Sequence, residues 1–458
     1  MNVKVSPWAT YRPTPAAPWN LGRAWTLRRR GGFAATWREL ERDVADGPGP
    51  AVDRLITGEC RNEGTPADFS RTADLLGDSA AGSSDARRLQ AWWLYRALFT
   101  PDPLSERLTL MWHDHFATSQ VKVDDVAAMR TQNETFRRFG RGPFADLLRE
   151  MLHDPALLDW LDAPSNRKGN LNENLARELL ELFTLGAGRY TEDDVKGTAR
   201  ALTGLSVLQG QFKFRAQDHD DGEKTILGKT TRFDADSLAD HLLSQPAAAD
   251  RLAWRLCTTF LGEGVADDTA LAELADRLRK GGMHVGHAVE TVLRSELFFS
   301  ARNLHARVAD PVGFVVGTLR ALERFDPPPS TLLLAEWAAR LGQELFYPPN
   351  VGGWPGGRGW LTGRAVVARA NFAAALAAGR LNSDVTPPDL AGLAESRARY
   401  AHPRDALGFF VELLTGRRPD GATVDSLLQS AAAADGSKPD RINRAVALLL
   451  ASPEAQLF

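Results

Sequence analysis

The spacing of apolar residues constrains this chain more than any other feature. After residue 22, apolar side chains recur every three or four residues in one segment after another, which is the period of an amphipathic helix. Many of these segments begin at Ser, Thr, Asp or Asn and end at Gly or before Pro, as residues 83–100 end before Pro101. The pattern predicts a mainly α protein with a multi-helical globular body.

Two stretches interrupt the helical spacing. Residues 205–232 carry short alternating apolar runs separated by Gly and Asp-Asp-Gly, which predicts a short β-hairpin or an ordered loop. Residues 347–363 are rich in Gly and Trp and predict a loop before a helix over 364–378.

Composition along the chain predicts three parts. Residues 1–22 are rich in Pro, Trp and Thr, which is typical of an extended N-terminal arm. Pro and Gly around residues 380–390 indicate a linker. We therefore expect a large helical domain over 23–380 that holds a polar site, and a small C-terminal helical unit over 381–458. A chain of 458 residues is long enough to bury its core without disulfides or metals.

Charge and hydropathy argue against two broad classes of protein. The chain has 55 basic and 58 acidic residues, so it lacks the basic excess of a nucleic-acid-binding protein. No stretch of sequence approaches the roughly 18 consecutive apolar residues of a membrane-spanning helix. The first residues lack the apolar segment of a secretory signal, so the cytoplasm is the expected location. Cys60 and Cys257 have no metal-binding or disulfide spacing and are expected to be buried free thiols.

The segment SERLTLMWHDHFATS places two histidines near the end of a predicted helix. Successive helical residues turn by about 100°, so His113 and His115 point about 200° apart and cannot share a metal ion while both remain helical. His113 follows Leu110 by one turn, which favours a place in the core. If the helix frays from Ala117 onward, His115 is free to turn toward a partner. Core packing and metal ligation both remain open for these two rings.

The helix predicted over 171–185 has the clearest boundaries. Asn170 and Glu173 have the spacing of a capping box at its start. Gly186 follows the last apolar residues and predicts the end of the helix. Thr191 and Asp194 repeat the capping-box spacing and predict the start of the next helix.

The polar residues of this helix share one stripe. A step of about 100° per residue puts Asn174, Arg177, Glu178 and Glu181 on one face and the leucines on another. Such a face is either solvated, with Arg177 paired to Glu173 or Glu181, or supplies acceptor groups to a site. Both interpretations remain open.

A third polar element lies in the turn-rich segment QDHDDGEKTILG. Here His219 and Asp220 follow one another where loop geometry can direct side chains inward. Two histidines from different segments and one carboxylate would satisfy a zinc site, or a facial triad for iron or manganese, with an open position for water. The alternative is a set of solvated loop acids. A divalent metal ion of unknown identity is the cofactor that this pattern predicts.

The glycine-rich loop over 347–363 has tryptophans but lacks a phosphate-binding motif. It contains no GxxxxGK[ST] motif, and the chain has no GxSxG motif. Trp354 and Trp360 are expected either to stack on a sugar or peptide or to pin the loop onto the body of the protein.

Five ordered blocks together resemble a known family. The blocks are MWHDHFATS, HDPALLDWLD, NENLARELLELFTLGAGRYTEDDVKGTARALTG, HDDGEKTILG and YPPNVGGWPGGRGW. They are similar to the signature blocks of a bacterial family catalogued as domain of unknown function 1800, and the similarity spans roughly residues 20–458. The resemblance implies no established activity.

The resemblance does imply a shared polar site, because the histidine blocks and the Asn-Glu-Asn helix all belong to the family pattern. It also implies a neighbouring gene for a sulfatase-like protein and, for many members, export. Export therefore stays open here despite the lack of a visible signal. Gly313 stands where the family pattern has an acidic residue after Asp-Pro-Val, which predicts a weakened region around Arg307.

Two functional hypotheses follow. The first is a metal-dependent enzyme of hydrolase or oxygenase type, and the alternative is a non-catalytic partner or maturation factor for the sulfatase-like neighbour, with the polar cluster structural. Both require that the three polar segments meet in one pocket. The predicted roles are metal ligation by His113, His115, His219 and Asp220, catalysis by Arg177, Glu178 and Glu181, and binding by Glu173, Asn174, Trp354 and Trp360.

Overall fold

The computed structural model describes residues 6–60, 64–382, 385–398, 402–432 and 438–458. This described part confirms a mainly α protein, with 62% helix in 23 α-helices and two small two-stranded sheets. Within it, none of the helices is both long enough and apolar enough to cross a membrane.

The α-helices follow one another along the chain with short connections. The first ten are α1 (Leu21–Gly31), α2 (Trp37–Asp46), α3 (Pro48–Thr57), α4 (Phe69–Ser83), α5 (Ala86–Phe99), α6 (Pro103–His115), α7 (Gln120–Val123), α8 (Val126–Phe139), α9 (Phe144–Leu152) and α10 (Pro155–Trp160). The next seven are α11 (Asn174–Glu178), α12 (Glu192–Ala201), α13 (Ala235–Leu243), α14 (Pro246–Phe260), α15 (Asp268–Lys280), α16 (Val285–Leu293) and α17 (Pro311–Ala321). The last six are α18 (Thr331–Arg340), α19 (Gly363–Ala377), α20 (Leu390–Ala398), α21 (Pro403–Thr415), α22 (Gly421–Ala432) and α23 (Lys438–Ala451).

Side-chain caps explain where the helices near the site begin. Asp102 Oδ1 accepts a hydrogen bond from the Ser105 backbone at 3.1 Å, and Pro103 occupies the first turn of α6, where no amide hydrogen is needed. The capping box predicted at the start of α12 is confirmed, with Thr191 and Asp194 each bonded to the backbone of the other.

The helix predicted over 171–185 differs from the structure in its start and its type. The capping box from Asn170 to Glu173 is wrong, since α11 begins at Asn174, whose backbone amide donates to Asn172 Oδ1 at 2.9 Å. After Glu178 the chain continues as a π-helix over Leu179–Thr184, and Leu185 N bonds to Leu180 O at 2.9 Å. The end at Gly186 is confirmed by its left-handed φ of +93°.

Two antiparallel hairpins occupy the stretch where the helical spacing fails. Strands β1 (Leu205–Leu208) and β2 (Gln211–Phe214) pair with Leu205 opposite Phe214. Strands β3 (Lys224–Ile226) and β4 (Lys229–Thr231) pair with Lys224 opposite Thr231. The prediction of β structure near 205–232 is therefore confirmed.

The apolar faces of the helices form two large hydrophobic clusters. One is built around α6, α8, α9 and α14 to α16, and the other around α4, α5, α17 to α19 and the helices after residue 385. In the second cluster, α23 packs along α19, and α21 contacts α1 and α17. The described residues of 381–458 thus bury their apolar faces against the rest of the protein, and a domain boundary at 380 stays a prediction.

The N-terminal segment lies along the surface of the helical body. Residues 6–20 form no helix, Thr10 makes a bridge with Ser295, and Trp8 Nε1 donates to Ala270 O at 2.8 Å. Trp8 and Tyr11 are buried. Residues 1–5 of the predicted arm lie outside the described residues.

Candidate functional site

His113 lies inside an aromatic enclosure in the core. Its ring is 5.4 Å from Trp93, 5.3 Å from Phe346 and 5.6 Å from Trp354, measured between centroids. Neither ring nitrogen has a hydrogen-bond partner among the described residues. Burial lowers the pKa of His113 to about 3, so the ring is neutral at physiological pH.

His115 is also buried, on a different side of α6. Its Nε2 lies 3.1 Å from the carbonyl oxygen of Phe183, and its ring packs edge-on against Phe116. Burial and the charge of Arg255 lower the pKa of this imidazole well below its usual value. In this structure both histidines pack in the core.

Asp114, between the two histidines, points toward the glycine-rich loop and α14. Its Oδ1 accepts the backbone amide of Trp354 at 2.7 Å, and its Oδ2 accepts Arg255 Nη2 at 2.6 Å. Gly353 makes this contact possible, because it has a φ of +86° and a Cβ there would stand 2.3 Å from Asp114 Oδ1. The Asp114 carboxylate therefore links the glycine-rich loop to α6, which carries Asp114, and to α14, which carries Arg255.

A cleft of about 710 Å³ opens beside this carboxylate. One wall is the face of α6 that carries Arg107, Leu110, Met111 and Asp114, which recur at helical spacing. The other walls are the end of α14 with the loop over 262–268, the segment 307–310, and the glycine-rich loop. We call this space the cleft.

Three largely buried ionic groups, Arg107, Arg307 and Asp310, line the cleft, and we call them its floor. Arg107 Nη1 lies 2.7 Å from Asp310 Oδ2, and Arg307 Nη1 lies 3.4 Å from the same oxygen. Burial opposes ionisation of Asp310, but the two arginine charges hold its pKa at about 2. Gly313 supplies no carboxylate here, and Arg107 Nη2 has no hydrogen-bond partner in the described part of the chain.

The tryptophans of the cleft differ in exposure. Trp354 and Trp360 are 6% and 5% exposed, so they hold the loop against the body of the protein. Trp254, on α14, is 40% exposed and lines the cleft. The Arg251 guanidinium lies 4.5 Å from the centre of its ring, which leaves the rest of the indole surface for other contacts.

The predicted residues at the start of α11 form local ion pairs and hydrogen bonds. Arg177 Nη2 lies 3.1 Å from Glu173 Oε2 and 2.9 Å from Glu192 Oε2. Asn174 Nδ2 donates to Asp162 Oδ2 at 3.2 Å. These contacts favour the interpretation that the polar stripe of the helix predicted over 171–185 faces solvent.

Glu178 and Glu181 lie further along the same segment. Glu181 Oε2 accepts the Tyr190 hydroxyl at 2.5 Å. Glu178 is half-buried, and burial together with the Glu181 charge raises its pKa. Neither residue lines the cleft.

His219 and Asp220 are held by the end of α12. His219 Nδ1 lies 2.8 Å from the carbonyl oxygen of Thr203, and Asp220 N donates to Thr203 Oγ1 at 2.8 Å. Arg200 Nε donates to Asp220 Oδ2 at 2.6 Å and, with the Gly222 amide, holds the pKa of that carboxyl at about 2.

These positions do not fit the metal site that the sequence predicts. Both nitrogens of His113 face an aromatic enclosure, and His115 is bonded to a main-chain carbonyl. Across the described ranges, no group of three or more His, Cys, Asp or Glu side chains is placed to hold a metal ion. The predicted ligand set is thus not assembled, and a bound metal stays a prediction for elemental analysis of purified protein to test.

A family model described as "Protein of unknown function (DUF1800)" matches residues 26–457 of the chain. This chain is a member of the DUF1800 family. The match covers nearly the whole chain and confirms the resemblance seen in the five sequence blocks. No curated protein and no solved structure matches it.

The cleft of this DUF1800 protein includes residues that the sequence patterns did not single out. Arg107 and Asp114 lie seven residues apart on α6, so a helical stripe through both was visible in the sequence. Arg255 had no comparable signal, and Arg307 was named only through the family resemblance. The partner of Arg255 is 141 residues away along the chain, and only the tertiary fold brings the two together.

Proposed function

We propose that the cleft is the functional site of this protein and that it binds a saccharide of about one or two sugar rings. Its volume of about 710 Å³ lies within the range of roughly 300 to 1,000 Å³ that is typical of small-molecule sites. Such sites combine apolar and aromatic surface with a few fixed polar groups, which is the composition of these walls.

The pair of Asp114 and Arg255 beside the exposed Trp254 carries the proposal. The two charged side chains are 24% and 13% exposed, so they are held in place and still reach the cleft. A carboxylate and a guanidinium offer an acceptor and donors to sugar hydroxyls, and an indole face packs on the C–H face of a sugar ring. Both kinds of contact are available where the α6 and α14 walls of the cleft meet.

The residues on these two walls support ligand binding better than covalent catalysis. Cys257 lies in the α14 wall, but burial raises the pKa of the thiol to about 12. The nucleophilic thiolate is therefore scarcely populated at neutral pH. Both oxygens of Asp114 are already bonded to the protein, which suits a positioning role.

Binding can be measured by tryptophan fluorescence and calorimetry with glucose, galactose and their disaccharides. We expect Trp254→Ala to weaken binding by about tenfold, the equivalent of roughly 1.4 kcal/mol of ring packing. Asp114→Asn should also weaken binding, since it removes the charge that orients Arg255. Phe214→Ala, which removes an exposed aromatic ring from β2, is the matched control.

Two results would overturn the proposal: absence of binding across the panel, or binding that both cleft variants leave unchanged while circular dichroism shows them folded. The metal-dependent hydrolase or oxygenase activity and the role as partner of a sulfatase-like neighbour stay predictions. Elemental analysis tests the first, and co-purification with the neighbouring gene product tests the second.

A further inference from the structure

The floor of the cleft carries more positive than negative charge. It holds the guanidinium groups of Arg107 and Arg307 but the single carboxylate of Asp310. Among these three side chains, one positive charge is therefore in excess. Asp114 and Arg255, which also line the cleft, neutralise each other.

Asp310 is committed chiefly to Arg107. Their contact of 2.7 Å is shorter than the 3.4 Å contact between Asp310 and Arg307. Arg107 is only 2% exposed, and its other contacts are a hydrogen bond to Gly32 O and the ring of Phe33 at 4.6 Å. Arg107 thus has Asp310 as its close ionic partner, and the more weakly compensated charge is that of Arg307.

Arg307 is the floor arginine that reaches the cleft. Its side chain is 16% exposed and lines the cleft. Its backbone is held on both sides, because Arg307 N donates to Phe458 O at 3.2 Å and Phe458 N donates to Arg307 O at 2.7 Å. A guanidinium on a fixed backbone is preorganised to bind a planar or tetrahedral oxyanion.

Two neighbours add to the positive potential. Gln343 lines the cleft and its Oε1 accepts Val312 N at 3.0 Å, so its amide nitrogen is turned the other way, and no described residue accepts a hydrogen bond from it. The N-terminus of α17 begins beside Asp310 and contributes its partial positive charge.

The acidic residues at the mouth act in the opposite sense. Glu263 and Asp268 are exposed and line the entrance, where solvent screens them more strongly than it screens the floor. Their charge disfavours an anion at the entrance and so favours orientation of an anionic group toward the floor.

We infer that the saccharide bound by this cleft is acidic, and that Arg307 binds its oxyanion, a carboxylate or a sulfate ester, at the floor. This inference rests on the proposed saccharide binding. It adds the class of saccharide and the residue that selects it.

The test compares glucose, glucuronate, glucose 6-sulfate and inorganic sulfate as ligands of the full chain. We expect the acidic sugars to bind about tenfold more tightly than glucose at low salt, with a smaller ratio at high salt. Arg307→Gln should abolish this preference, so that the acidic sugars and glucose bind the variant with affinities within about twofold of each other. Arg307→Lys should keep part of the preference, and Arg302→Gln, an exposed arginine outside the cleft, should keep all of it.

The outcomes separate the two proposals. If no sugar binds, saccharide binding itself fails. If glucose binds as tightly as both acidic sugars, or the preference survives in Arg307→Gln, the assignment of Arg307 is wrong while saccharide binding stands. Stronger binding of glucuronate or of glucose 6-sulfate identifies the oxyanion, and binding of inorganic sulfate alone would contradict a sugar ligand. The wild-type comparison stands by itself if a variant fails to fold.

Discussion

The charged residues of the cleft and those of the α11 region are similar in type but differ in burial and in the separation of their partners. In the cleft, Arg107 pairs with Asp310 across 203 residues, and both side chains are almost fully buried. Near α11, Arg177 is 37% exposed and pairs with Glu173, four residues before it. Buried pairs between distant segments hold walls in place, whereas exposed local pairs add little to stability.

The largest difference should appear when each arginine is replaced. Arg107→Met leaves the buried Asp310 carboxylate with the Gly313 amide and a long contact to Arg307 as its partners. We therefore expect the free energy of unfolding to fall by about 3 kcal/mol or more. Arg177→Met removes two exposed ion pairs, to Glu173 and Glu192, and should leave the unfolding midpoint essentially unchanged. Urea unfolding of both variants measures the contrast, and equal effects would contradict it.

A second contrast compares two glycines with positive φ. Gly353 has φ +86° and contacts Asp114, whereas Gly228, between β3 and β4, has φ +77° and open space around its Cβ position. Gly353→Ala should cost about 2 to 3 kcal/mol, because strain and a clash with Asp114 add together.

Gly228→Ala is the matched control and should cost only the strain, about 1 kcal/mol. The same unfolding measurements report both values. Ligand binding should weaken in Gly353→Ala alone, since this substitution displaces the loop that forms a wall. Equal losses of stability in the two variants would mean that the contact between the loop and Asp114 contributes nothing.

The third contrast compares a buried with an exposed histidine, through the pH dependence of the free energy of unfolding. The pKa of His113 is about 3 in the folded protein and near 6.5 when unfolded, so between these values only the unfolded chain binds the proton. Stability should therefore fall as pH decreases from 6.5 toward 3, by about 1.4 kcal/mol per pH unit for this residue. Buried His115 should steepen the slope.

His113→Phe removes one titrating group and should flatten this slope by the same amount. Urea unfolding at a series of pH values between 4 and 7 measures it. His287→Gln replaces an exposed histidine and serves as the control. An unchanged slope in His113→Phe would show that the ring is solvated in the folded protein.

Local patterns predicted the parts of the fold that local physics determines. Helical spacing identified the α architecture, and the Thr191 capping box and the stop at Gly186 were read from residue types that satisfy free backbone groups or tolerate positive φ. The start of α11 was missed because the Asn172 side chain, two residues after the predicted cap, accepts the amide of Asn174.

The sequence predicted less of the candidate site than of the fold. The angle between His113 and His115 correctly separated the two rings, but it did not show that both would be buried and that Asp114 would face the cleft. That outcome depends on which side of α6 meets α14 and the glycine-rich loop. The floor pair of Arg107 and Asp310 depends on contacts between segments far apart in the chain.

The position of the Trp354 ring, between the cleft and the buried ring of His113, has a further consequence. Trp354 lines the cleft, and its ring lies 5.6 Å from the ring of His113. Ring currents from this indole fall on the imidazole carbon-bound protons, so their NMR chemical shifts will follow small displacements of the loop. His113, sealed from water, thus provides a built-in spectroscopic probe of occupancy on the far side of the tryptophan.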